Sequence, residues 1–163
     1  MNPAEIRYLF DYDRWATERV LATLDGIPQD VWSRRDAVGE RGLGTILVHQ
    51  LGAAQRWRHA IQQTGDQPRP ELEPLPTVDE LRSWWADEWV AVAGWMPTIT
   101  QGLLDHEEEG VAVWQMLTHV INHGTQHRSE AALILTEIGR SPGEIDMIFY
   151  AEELVAGETA AAD

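Results

Sequence analysis

The chain has 163 residues, 44% of them hydrophobic, a formal charge of −15 and no cysteine, enough for one domain with a full core but not for disulfides, thiolate metal sites or a cysteine nucleophile. All 12 basic residues are arginine, which removes Schiff-base and P-loop lysine chemistry. The acidic field opposes nucleic acid, whose binding rests on lysine and arginine neutralising phosphates, and it favours divalent cations.

No run of eighteen apolar residues and no basic-then-apolar start is present, so neither a membrane span nor a signal peptide is expected, and a cytoplasmic location is. Taken in order, residues 3 to 25 read as a helix capped by Asn2 and opened by Pro3. Ile6, Phe10, Asp13, Thr17, Val20, Leu21 and Leu24 share its inner face. Asp13 is the anomaly on that stripe, because a buried carboxylate needs an arginine, a backbone donor or the free N–H of a metal-bound imidazole. Residues 26 to 43 read as a loop with a short turn near Val31 and Trp32.

A second helix runs from Gly44 to about Thr64, with Ile46, His49, Ala53, Trp57 and Ala60 recurring at the helical period. His49 therefore faces inward, either as a hydrogen-bonded core residue or as a metal ligand. Residues 65 to 76 hold four prolines and predict a stiff, extended connection. Thr77 and Glu80 form a capping box for a third helix to about Trp95, where Pro97 ends or kinks it. Residues 98 to 110 read as a solvated acidic turn carrying His106, a weak ligand candidate. A fourth helix spans Val111 to Ile138. A last short helix runs from Ser141 to about Val155, and residues 157 to 163 are expected to be a disordered tail after a single domain over 1 to 156. Four long helices and no β alternation predict an all-α four-helix bundle, the class that builds metal sites from side chains on facing helices.

The fourth helix carries His119, His123 and His127 at steps of four, a spacing that stacks imidazoles on one side of a helix. Phase orders them. Against the stripe of Val113, Met116, Leu117, Val120, Ala131, Ile134, Leu135 and Ile138, His127 lies roughly 40° from the centre, His123 roughly 80° and His119 roughly 120°. His123 and His127 are the better ligand pair, and His119 is a flank residue. The competing reading makes all three surface or satisfied core histidines. No glutamate stands between them as in His-Glu-x-x-His zinc helices. Arg128 and Glu130 are candidates to orient a substrate, and an ion pair explains them equally well.

The run Tyr12-Asp13-Arg14-Trp15-Ala16, the inward His49, and His119-Val-Ile-Asn-His123-Gly-Thr-Gln-His127-Arg128 resemble the DinB/YfiT-like family over nearly the whole chain. Ser129-Glu130 replaces a common Gly-Gln, and Asp13 stands where asparagine is common. The resemblance implies an up-down-down-up bundle, a homodimer, and one divalent metal on His49, His123 and His127. Beside that site, Asp13, Trp57, His119, Arg128 and Glu130 are the candidates to support a ligand or touch a substrate. Relatives include transferases and isomerases using mycothiol or bacillithiol, and metal-dependent hydrolases.

Three imidazoles with an open position match a catalytic zinc site, although nickel, manganese or iron would suit the same ligands. Such an ion lowers the pKa of bound water towards ~7 or holds a low-molecular-weight thiol as thiolate. The four serines sit in no Gly-x-Ser-x-Gly context. Expected, then, is a metal-dependent thiol transferase or hydrolase acting on a small electrophile, against the alternatives of a non-catalytic metal- or ligand-binding stress protein and a dimeric module with vestigial histidines.

Overall fold

Asn2 opens α1 (Pro3–Ala22) by accepting from the amides of Ala4 and Glu5 at 2.9 and 3.0 Å, while Glu5 reaches back to the Asn2 amide at 2.8 Å. This reciprocal cap satisfies donors that a helix start leaves orphaned. The computed structural model describes residues 1–34, 41–65 and 74–162. The next elements are α2 (Gln29–Ser33), α3 (Leu43–Gln62) and α4 (Val78–Trp95), followed by a 3-10 turn over Met96–Thr98. Then come α5 (Gln101–Asp105), strands β1 (Glu107–Glu108) and β2 (Val111–Ala112), α6 (Val113–Glu137) and α7 (Met147–Ala162).

The bundle consists of α1, α3, α4 and α6, and its helix directions can be read from the contacts. Ile6 packs with Leu117 at one end, whereas Leu24 packs with Ile134 and Leu135 at the other, so α1 and α6 run parallel. Leu43 and Ile46 join the second cluster while Ile61 joins the first, so α3 runs the opposite way. Leu81 and Trp85 lie with Leu43 and Leu24, and Trp95 lies with Ile6, which sets α4 parallel to α3. The arrangement is up-down-down-up. Parallel α3 and α4 need a long return connection, which the proline-rich stretch supplies; its residues 66–73 lie outside the described residues.

Local chemistry explains where the elements begin. The Thr77–Glu80 capping box forms as expected. Trp32 is buried and donates to the Pro76 carbonyl at 2.9 Å, tying α2 to the start of α4. Gly44 lets α3 start against α2, since a Cβ there would stand 2.8 Å from the Trp32 carbonyl oxygen.

Three expectations change. The acidic turn at 98–110 contains α5 and a two-stranded hairpin pairing Glu107 with Ala112 and Glu108 with Val111. Its turn residues Glu109 and Gly110 both take positive φ, 52° and 81°, the backbone that a two-residue hairpin loop demands. Glutamate rarely takes that conformation, and so the sequence hid it. The last helix starts at Met147 rather than Ser141 and runs to Ala162, through the stretch expected to fray from Gly157. Alanines at 160 to 162 favour helix, and upstream contacts hold the helix on α1: Tyr150 packs on Tyr8, Tyr12 and Trp15. Glu153 accepts from Trp15 at 2.8 Å and pairs with Arg19. Among the described residues no helix is long and apolar enough to cross a membrane.

Candidate metal centre

The α6 histidines are graded in burial as their phase requires. His127 is buried, His123 half-buried and His119 exposed. From α3, half-buried His49 brings its ring centroid to 5.2 Å from that of His123 and 4.9 Å from that of His127. One ring nitrogen from each of the three lies within 4.8 Å of the others. The Nε2 atoms of His123 and His127 are 3.2 Å apart. Zinc–nitrogen bonds of about 2.0–2.1 Å at tetrahedral angles separate ligand nitrogens by about 3.3 Å. The α6 pair already has that spacing, and a ring nitrogen of His49 stands within 4.8 Å of both. The donor set fits a divalent ion.

The outer nitrogens support the same conclusion. His127 Nδ1 lies 2.7 Å from Glu130 Oε2. With Nδ1–H donating to that carboxylate, Nε2 keeps its lone pair for a cation, the carboxylate–histidine arrangement that orients metal ligands. Burial would raise the Glu130 carboxyl, but hydrogen bonds from Gln126 and His127 and the charge of Arg41 hold it below the ordinary range. His123 is pushed down to about 4, chiefly by burial and then by the imidazoles of His127, His49 and His119 and the charge of Arg41. A neutral imidazole is the form that binds metal.

Behind the histidines lies a buried polar layer between the two apolar clusters. Arg128, 1% exposed, pairs with Asp13 and also donates to Thr17 at 3.3 Å and Thr125 at 3.0 Å. Gln50 donates to Thr17 at 3.3 Å, and its side-chain amide oxygen is buried with no hydrogen-bond partner among the described residues. Burial raises the Asp13 carboxyl above its usual range, against the pull of Arg128. Gly124 makes the layer possible, because a Cβ there would come within 2.5 Å of Asp13 Oδ1 and 2.9 Å of Arg128 Nη1.

A family model described as the DinB family matches residues 1–158. The chain belongs to the DinB family. A comparison with curated proteins found no match.

In this DinB-family chain the candidates separate into three groups. His49, His123 and His127 come together, with Glu130 bound to His127. Trp57 and His119 form a rim, their rings edge-on at 5.3 Å, with His119 5.7 Å from His123. Asp13 and Arg128 turn to each other rather than to the cluster, the arginine partner that the buried carboxylate called for. His106 stays exposed and outside the cluster. Sequence reasoning did not single out Thr17, Gln50, Arg41 or Gly124. Gly124 carried the one available signal, a glycine inside a helix that costs stability there unless something needs the space.

Proposed function

We propose that this DinB-family protein is a metal-dependent enzyme that acts on a small electrophilic molecule, as a thiol transferase or a hydrolase. The observation that supports it is the convergence of three imidazoles with no fourth protein ligand in the cluster among the described residues. Structural zinc sites are usually closed by four protein ligands, whereas catalytic ones keep a position open. A divalent ion there, zinc in the first instance and nickel, manganese or iron as alternatives, supplies Lewis-acid activation of water or of a low-molecular-weight thiol.

The chain's own residues do the rest. Glu130 orients His127 and adds negative charge beside the ligands. Trp57 and His119 offer an aromatic rim, and Arg41 lies close enough to lower the pKa of both His123 and Glu130. With no cysteine or lysine in the chain, an activated water or thiol is the natural nucleophile.

The test is consumption of a panel of electrophiles by metal-loaded protein, with and without mycothiol, bacillithiol or glutathione, and with His49→Ala as control. Thiol-dependent turnover lost in His49→Ala supports transfer, and turnover without thiol supports hydrolysis. Bound metal with no turnover across the panel would transfer the reading to a non-catalytic metal-binding stress protein. The same reading includes a homodimer, supported by exposed Met147, Ile148, Leu154 and Val155 on α7 and checked by sedimentation equilibrium. A cytoplasmic location also belongs to this reading, checked by fractionation of the source cells.

A further inference from the structure

Tryptophan carries a large apolar area that a fold normally buries, and this chain has eight. Six of them pack into the apolar clusters, as buried members or against their flanks. Trp57 and Trp84 join none of those clusters. Trp84 is 36% exposed on α4. Trp57 is half-buried on α3, about two helical turns along from His49. Its ring meets that of His119 edge-on, with the planes at 68° and the centroids 5.3 Å apart.

This contact is the end of a line of rings. Centroid to centroid, His127 lies 4.4 Å from His123, His123 5.7 Å from His119, and His119 5.3 Å from Trp57. Burial falls along the line, from buried His127 through half-buried His123 to exposed His119. A dissolved molecule therefore reaches the cluster past His119 and Trp57. Two rings inclined at 68° offer a flat molecule one face to lie against and one edge to meet. Offset-stacked and edge-to-face contacts are the arrangements that π-systems prefer, and a puckered or branched chain makes neither.

We propose that this rim sets the substrate class: flat, conjugated or aromatic electrophiles, whose π-system lies against Trp57 and His119 while the reacting atom reaches the cluster. The two ring spacings from Trp57 to His123 match one ring with a short reactive arm. The inference rests on the metal-dependent reading above and narrows it.

The experiment uses zinc-loaded protein and three unreactive zinc-binding hydroxamates, with affinities read by calorimetry. Acetohydroxamate reaches the ion alone, benzohydroxamate adds a flat ring, and cyclohexanecarbohydroxamate adds a puckered one. Benzohydroxamate should bind about two- to tenfold tighter than the cyclohexane compound, the worth of one aromatic contact beyond its area. The saturated ring offers at least as much apolar surface, so the preference reads geometry rather than burial. In Trp57→Leu the ratio of the two affinities should fall to about one, and in Trp84→Leu it should stay. Elemental analysis checks that each variant keeps its zinc. If Trp57→Leu does not fold, His119→Ala, which should also lower the ratio, takes its place. Equal affinities in wild type, a ratio kept in Trp57→Leu, or one lost as fully in Trp84→Leu would each overturn the inference. Acetohydroxamate separates the failures. Without its binding the metal-dependent reading falls and this one with it, whereas its binding with no ring preference sinks this one alone.

Discussion

Replacing Gly124 by alanine probes the buried polar layer at its tightest point. Inside a helix, glycine to alanine normally stabilises by about 1 kcal/mol, and Gly124 is well inside α6. Here the new methyl would stand 2.5 Å from Asp13 Oδ1 and 2.9 Å from Arg128 Nη1. Neither atom can swing away cheaply, since Arg128 is 1% exposed and tied to Asp13, Thr17 and Thr125. Overpacking of this kind costs about 1–3 kcal/mol. Parting a buried ion pair costs about 3–5 kcal/mol when one charge is left alone. Set against the helix gain, a clash relieved by repacking nets a loss of about 0–2 kcal/mol and one that parts the ion pair about 2–4 kcal/mol. Since neither Asp13 nor Arg128 can move without the other, the second is expected. Urea unfolding of the metal-free protein, followed by tryptophan fluorescence near neutral pH, reads it as a lower midpoint at unchanged slope. In an Asp13→Ala background the same substitution should cost less, because the nearer of its two clash partners is gone. A midpoint for Gly124→Ala equal to or above wild type would refute the reasoning.

Four further outcomes are expected. His123→Ala should abolish binding of one zinc per chain and His119→Ala should spare it, measured by elemental analysis of untagged protein. Glu130→Gln should weaken zinc affinity about 10- to 100-fold in a competition titration, through loss of the carboxylate that orients His127. The metal-free protein should lose stability as pH falls from 6.5 towards 4, because His123 protonates in the unfolded chain at its ordinary 6.5 but in the fold only near 4. With solvent screening of this half-buried ring, the loss is on the order of 1–2 kcal/mol, and His123→Ala should flatten that part of the pH profile. Finally, a gel shift with duplex DNA at physiological salt should show no binding, given the charge of −15 without lysine.

Much of the site could be read before the fold was known because helical phase is a strong constraint. A step of four residues at 100° each places His127, His123 and His119 at successively outward angles, and their burial follows that order. His49 was legible for the same reason. The Asp13–Arg128 pair was legible only by half: the stripe showed that Asp13 must find a partner, but pairing across 115 residues depends on how α1 and α6 pack. Thr17 and Gln50 gave no warning, since small polar residues on an inner face look the same whether they bond each other or water. The hairpin at Glu107–Ala112 was missed because tertiary context put a glutamate at positive φ, against its local preference.

The polar layer also settles how far one helix can slide along another. An apolar seam between parallel helices tolerates a shift of one turn, about 5.4 Å, with other leucines and valines filling the vacated places. Such a shift of α1 along α6 would carry Asp13 away from Arg128 and leave two charges buried apart, a penalty that side-chain repacking cannot relieve. Gln50 extends the constraint to α3 through Thr17. The three helices are therefore indexed to one another at the level of residues 13, 17, 50 and 128. His49 stands directly before Gln50, and His127 directly before Arg128. The alignment of the cluster is thus a property of the fold itself.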